Sequence, residues 1–283
     1  MITERSPEKL IMENFEKKME LGKVYKYNPL ILASMTIKEQ GRNDLNNVDI
    51  LVFNFILQQY QKQIRQKLFV ETNHLSFTMD FDDFKHLFPE NPNWVRATLR
   101  SLRRIRRAEV EFQKIKVPKG IIENNTLFSN TLNQDDFETL NFHVCSLLSS
   151  ISGFEKREEK VSFIFDPVIA FCAWTKKNYT HISLETIKEL KSKYSQKLYE
   201  FIEYYLSINK KKDSREIIEI SLTDKNIQEI FAPKEKSSFS LILKKINQEN
   251  ILVKDLSQVY ENFEFQKGKK EVIIKLTPQN RKN

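Results

Sequence analysis

Two stretches of this 283-residue chain carry one pattern of large apolar residues. Leu75, Phe77, Met79, Phe84, Leu87 and Phe88 lie over Ile218, Ile220, Leu222, Ile227, Ile230 and Phe231 without a gap. In each stretch the apolar residues first alternate, the period of a strand, and then recur at helical spacing. After a slip of one residue, Val95, Leu99 and Leu102 fall on Phe239, Leu243 and Ile246. Such a repeat implies two copies of one structural unit, because each copy must bury the same faces.

The flanking segments define that unit. Each copy follows an amphipathic helix, VDILVFNFILQQYQKQ in the first half and KYSQKLYEFIEYYLSINK in the second. Val52, Phe53, Ile56, Leu57 and Tyr60 recur at helical spacing in the former, and Asp49 or Asn47 offers its cap. Each copy is followed by strands. AEVEFQKIKVP reads as one strand, and TLNFHVCSLLSSI and EKVSFIFD as two more around the charged turn GFEKREE. ILVKDLSQVYENFEFQKGKKEVIIKL reads as strand, hairpin tip and strand. Helix, strand, short helix, break, helix and trailing β-hairpin make a winged helix-turn-helix. The expected fold is therefore α+β, with two tandem winged helix-turn-helix domains related by internal duplication. The expected boundaries are an N-terminal tail at 1–24, a first domain at 25–165, a connecting helix or linker at 166–182 and a second domain at 183–283.

The second helix of the first copy reads WVRATLRSLRRIRR, residues 94–107, with no acidic residue. On a helical wheel Val95, Leu99 and Leu102 share one face, while Arg96, Arg100, Arg103 and Arg107 share another. Like charges at this spacing cost an isolated helix a few tenths of a kcal/mol per pair, roughly. A polyanion laid against the stripe offsets that cost by releasing its condensed counterions. Arginine suits the task, since its planar donors fit phosphate and the O6/N7 edge of guanine. The helix also follows a short helix and a tight break, where a helix-turn-helix places its recognition helix. The plain alternative is a solvated basic face. In the second copy Phe239, Ile242, Leu243 and Ile246 point inward, leaving Lys236, Ser237, Ser240 and Lys244 to face a groove. Lys267-Gly268-Lys269-Lys270 reads as a wing tip touching backbone phosphates, or as an ordinary charged turn.

The net charge of +8 agrees with an anionic partner without requiring one. Two cysteines, Cys145 and Cys172, give no disulfide framework and suit a reducing, cytoplasmic setting. No signal peptide or membrane span is evident, so no membrane partner is expected. Catalytic signatures are absent: there is no GxxxxGK[ST] phosphate loop and no paired-histidine metal motif. His143 and Cys145 share one strand face but read as core residues, so neither metal nor cofactor is expected. Tyr194, Tyr199, Tyr204 and Tyr205 read as packing residues rather than nucleophiles, and Trp94 and Trp174 as core anchors.

YNPLILAS, FIFDPVIAFCAW and YTHISLETIKELKSKYSQKLYEFIEYY together resemble the iteron-binding plasmid replication initiators, the tandem winged-helix Rep proteins. The most specific element is Lys-Ser-Lys-Tyr…Leu-Tyr-Glu, from Lys191 to Glu200. The likeness covers roughly residues 25–277. It implies a non-enzymatic protein that reads double-stranded origin DNA with both recognition helices. It implies a homodimer, joined through the first domain, in equilibrium with the monomer and repressing its own promoter. It also implies recruitment of the host initiator and replicative helicase. By position, the DNA-facing residues would be Arg96, Arg100, Arg103 and Arg104 in the first domain, and Lys236, Ser237, Ser240, Lys244 and Lys245 in the second. The match is poor between Glu235 and Glu249. A transcriptional repressor of the same fold, an enzyme with an unrecognised site, and a protein-binding adaptor are the competing readings.

Overall fold

The computed structural model describes residues 22–37, 45–66, 75–88, 90–121, 136–153, 159–175, 179–211, 216–231, 239–246, 250–268 and 271–278. Of the tail expected at 1–24, residues 1–21 lie outside them, and Lys23 and Val24 belong to the first strand. The chain begins with β1 (Lys23–Tyr27), a one-turn helix α1 (Asn28–Leu32) and β2 (Ser34–Ile37). The long helix α2 (Asn47–Gln66) follows. Its cap is Asn46, rather than Asn47 or Asp49. The Asn46 side chain accepts from the Asp49 N–H at 2.9 Å, and the Asp49 carboxylate accepts from the Asn46 N–H at 3.0 Å. This reciprocal pair is a capping box, which satisfies two backbone donors at once.

β3 (Ser76–Asp80) then leads into a 3-10 helix (Phe81–Leu87) and α3 (Trp94–Arg106). Alternation in β3 buries Phe77 and Met79 and exposes Ser76, Thr78 and Asp80. The break between the two helices is closed by Asn91, whose side chain accepts from the Asn93 N–H and whose carbonyl accepts from the Trp94 N–H. The segment expected as one strand after α3 divides into β4 (Ala108–Phe112) and β5 (Ile115–Pro118). Likewise 139–151 is not one strand. The chain there forms β6 (Phe137–Leu140), β7 (His143–Ser146) and β8 (Leu148–Ser152). Their partners differ: β6 pairs with β5, β7 with β4, and β8 with β9 (Lys160–Phe165). A continuous strand could not serve three sheets, so each turn lets the apolar face meet a new neighbour.

A short helix α4 (Pro167–Trp174) follows, capped by Asp166, whose side chain accepts from the Val168 N–H at 2.9 Å. Residues 168–173 are buried all round, so this segment is a core helix. β10 (Tyr179–Ser183) then pairs antiparallel with β1. Next come α5 (Leu184–Glu189), α6 (Lys193–Ile208), β11 (Ile218–Thr223), α7 (Asp224–Phe231) and α8 (Phe239–Ile246). Residues 251–257, expected as the start of a strand, form helix α9 (Ile251–Ser257). Leu252, Asp255, Leu256 and Val259 are buried there at helical spacing, and that outweighs the β-branched start of the segment. β12 (Glu261–Lys267) and β13 (Glu271–Thr277) close the fold.

The repeat read from the sequence is a repeat of topology. The first winged sheet has the order β3-β9-β8 and the second β11-β13-β12, and all four pairings are antiparallel. Phe77, Met79 and Phe84 are buried where Ile220, Leu222 and Ile227 are buried in the second copy. Between α3 and β8 the first copy carries the β4–β7 insertion, where among the described residues the second has only α9. Beneath the first sheet Tyr60 packs on Phe165 at 4.5 Å and Phe77 stacks on Phe163 at 4.9 Å.

Candidate nucleic-acid interface

α3 buries Thr98, Ser101, Leu102 and Ile105. Val95 and Leu99, expected on the packing stripe, are half-buried at its margin. The stripe is therefore turned toward two small polar residues, and Asp49 is the reason. Its carboxylate, 1% exposed, accepts from the Ser101 hydroxyl at 2.6 Å and from Arg104 Nε at 2.7 Å. One carboxylate thus caps α2 and clamps α3 to it. Trp94 is half-buried, its ring 5.7 Å from Phe81, which holds the start of α3 on the 3-10 helix.

Arg104 is consequently held apart from the exposed arginine stripe. Its side chain is 34% exposed and tied to Asp49. Arg96, Arg100, Arg103 and Arg107 are exposed. At about 100° per residue they lie on the side of the helix opposite Thr98, Ser101, Leu102 and Ile105. Arg106 is exposed as well, between the stripe and the packing face. Among the described residues Arg96, Arg100, Arg103 and Arg106 pair with no carboxylate. Three of the helix's arginines, Arg103, Arg104 and Arg106, fall in its last turn, where the helix dipole favours cations. Arg96 sits at the opposite, unfavourable end, so its place is not explained by helix stability.

The second unit is built differently. In α8, Leu243 and Ile246 are buried as expected, and Ser240 and Lys244 are exposed. Lys245 lies within the same helix, whereas Lys236, Ser237 and Lys269 lie outside the described residues. Leu241, which the sequence did not single out, is 56% exposed beside Ser240 and Lys244. Lys267, exposed at the end of β12, donates to the Ser240 hydroxyl at 3.0 Å. The hairpin tip thereby touches the helix in front of it. Gly268 begins the tip because a Cβ there would sit 3.2 Å from the Glu271 carbonyl oxygen, tighter than a side chain tolerates without displacement.

The two units are held in one frame by residues of the Lys191–Glu200 element. The Ser192 side chain caps α6, accepting from the Tyr194 N–H at 3.1 Å. Asp255 in α9 accepts from the backbone N–H groups of Lys191 and Ser192 at 3.0 and 3.2 Å. The Tyr199 hydroxyl accepts from the Ser183 N–H. Glu200 accepts from Lys26 Nζ at 2.7 Å through both oxygens, and from Asn54 at 3.0 Å. Lys26 and Glu200 are buried, and they join β1, α2 and α6. This motif, which the sequence could only mark as distinctive, is the joint between the halves.

No curated protein sequence matches this chain. Among solved structures, the Pi initiator protein in complex with iteron DNA matches with a TM-score of 0.53 and 12% identity, over 92% of this chain and 98% of that one. A selenomethionine form of domains 2 and 3 of RctB matches at a TM-score of 0.44 and 10% identity, covering 87% of this chain and 90% of its own. A second structure of the RctB domains 2-3 matches at 0.40 and 10%, covering 86% and 91%. The match to the Pi initiator shows a common fold across nearly the whole chain. Among the described residues, no helix is long and apolar enough to cross a membrane. The family profile described as "Initiator Replication protein, WH1" matches residues 23–203, from the first residue of β1 into α6, and the chain therefore belongs to the Rep3_N family of initiator replication proteins rather than to an enzyme family.

Proposed function

We propose that this protein initiates plasmid replication by binding directly repeated origin DNA, with α3 and α8 entering successive major grooves of one repeat. The observation that carries the reading is the stripe of Arg96, Arg100 and Arg103, exposed, free of carboxylates among the described residues, and opposite the buried face of a recognition helix. The Pi initiator, which shares the fold, was crystallised with iteron DNA. In this reading Arg96, Arg100, Arg103 and Arg107 meet phosphates and guanine edges. Ser240, Lys244, Lys245, Lys236 and Ser237 serve the second groove, and Lys267 and Lys269 meet the adjoining backbone. Arg104 supports the interface from behind by holding α3 on Asp49.

The finer parts of this proposal rest on the resemblance to the iteron-binding initiators. The monomer melts the origin and brings in the host initiator and replicative helicase. A homodimer joined through residues 25–165 represses the protein's own promoter, with 166–182 connecting it to 183–283. The test is equilibrium binding to duplex DNA carrying directly repeated candidate origin sequences, titrated with salt. Replacing Arg100 with alanine should weaken binding and lower the slope of log K against log salt by about one. An affinity and slope equal to those of the wild type would remove Arg100 from the interface.

A further inference from the structure

β7 and the junction of β9 with α4 bring together three groups from distant parts of the chain: His143, Cys145 and Asp166. One ligand-type atom from each lies within 4.8 Å of the other two. His143 and Cys145 share the inner face of β7, and Asp166 stands at the start of α4. His143 Nε2 is buried without a hydrogen-bond partner among the described residues. A buried polar nitrogen left unsatisfied costs roughly 1–3 kcal/mol, so its place asks for a ligand. We propose that His143, Cys145 and Asp166 form a binding site for one zinc-class transition-metal ion.

The donor set argues for that class. A thiolate with an imidazole selects borderline and soft ions such as Zn²⁺ over Mg²⁺ or Ca²⁺, which prefer oxygen alone. Three protein ligands leave a fourth tetrahedral position for water. His143 and Asp166 are half-buried, so side-chain rotation can shorten 4.8 Å to the separation that bonds of about 2.0–2.3 Å demand. Without metal the Cys145 thiol bonds to Asp166, and burial followed by that carboxylate pushes the thiol up. Binding removes the thiol proton to solvent and forms the metal–sulfur bond in its place, so each ion taken up releases one proton from Cys145. Asp166 keeps its cap to the Val168 N–H through one oxygen and offers the other. The bound ion would pin β7, at one edge of the β2-β4-β7 sheet, to the point where the first winged sheet enters α4.

The experiment is titration of the full, chelator-treated protein with Co²⁺, read by its thiolate charge-transfer absorption, followed by displacement with Zn²⁺. The expected result is one equivalent per chain, a band that Cys145→Ser removes, and zinc affinity lowered about tenfold or more by His143→Gln. Cys172→Ser should change neither. Circular dichroism establishes that each variant is folded. His143→Gln, on a half-buried strand position, keeps the test open if Cys145→Ser unfolds. Absence of the charge-transfer band in the wild type, or zinc affinity unchanged in a folded His143→Gln protein, would overturn the site.

Discussion

At the scale of single residues, two buried carboxylates hold α3 and the joint between the halves in place. Asp49 serves the Asn46 cap, the Ser101 hydroxyl and Arg104 together. Its replacement by alanine strands one backbone donor, one hydroxyl and one guanidinium. Arg104 is partly exposed, so solvent screens its share. Loss of the cap and of the buried hydroxyl bond sets the cost at about 2–3 kcal/mol, readable as a lower urea midpoint. Glu200 and Lys26 are both buried. Lys26→Met should destabilise by about 3–5 kcal/mol, because it leaves an uncompensated buried charge. The double variant with Glu200→Leu should recover most of that loss, since an apolar pair of similar volume stands in for a buried ion pair at small cost. A double variant as unstable as Lys26→Met alone would show that the pair is not the determinant. In the sequence Asp49 stands out only as a helix-start residue. Its partner Arg104 lies 55 residues away, and no local pattern encodes a pairing at that distance. For the same reason Arg104 looks equivalent to its neighbours on the arginine run.

At the scale of elements, helices and winged strands were legible where one face was apolar and the other polar. α3 runs from Trp94 to Arg106, close to the expected 94–107, because Pro92 and the Asn91 turn punctuate its start. The repeat between β3 and β11 was legible because both bury alternate large residues. The β4–β7 insertion was not. Its short strands are set by which neighbour each one pairs with, and strand propensity carries no such information. α9 was misread because Ile251 and Val253 are β-branched and apolar, while its helical face is fixed by Asp255, which accepts from the Lys191 and Ser192 N–H groups at the start of α6. The arginine face makes a prediction of its own. Changing Arg96, Arg100 and Arg103 together to glutamine should leave the helix folded, since none has a carboxylate partner among the described residues. The slope of log K against log salt should fall by about three, one for each phosphate no longer neutralised. Salt titration of DNA binding, with circular dichroism as the control, measures both. Arg104→Ala should behave in the opposite sense, losing stability ahead of salt slope.

At the scale of the whole molecule, the Lys26–Glu200 pair, the β1–β10 ladder and the Asp255 caps fix two winged units in one frame. A rigid pair of reading heads needs its sites in a set phase along the duplex, because adjacent major grooves on one face recur about every 10–10.5 base pairs. Inserting about five base pairs between the halves of a repeat turns one half to the far side of the helix. Binding should then fall to what one unit achieves alone, measured by gel shift. The most direct measurement is a hydroxyl-radical footprint of the wild-type protein and of Arg100→Ala on directly repeated origin DNA that the wild type binds. Two protected windows are expected on one face of each repeat, about one helical turn apart, with protection lost in one window only when Arg100 is replaced. A single protected window, or two windows both indifferent to Arg100→Ala, would contradict a pair of DNA-reading heads.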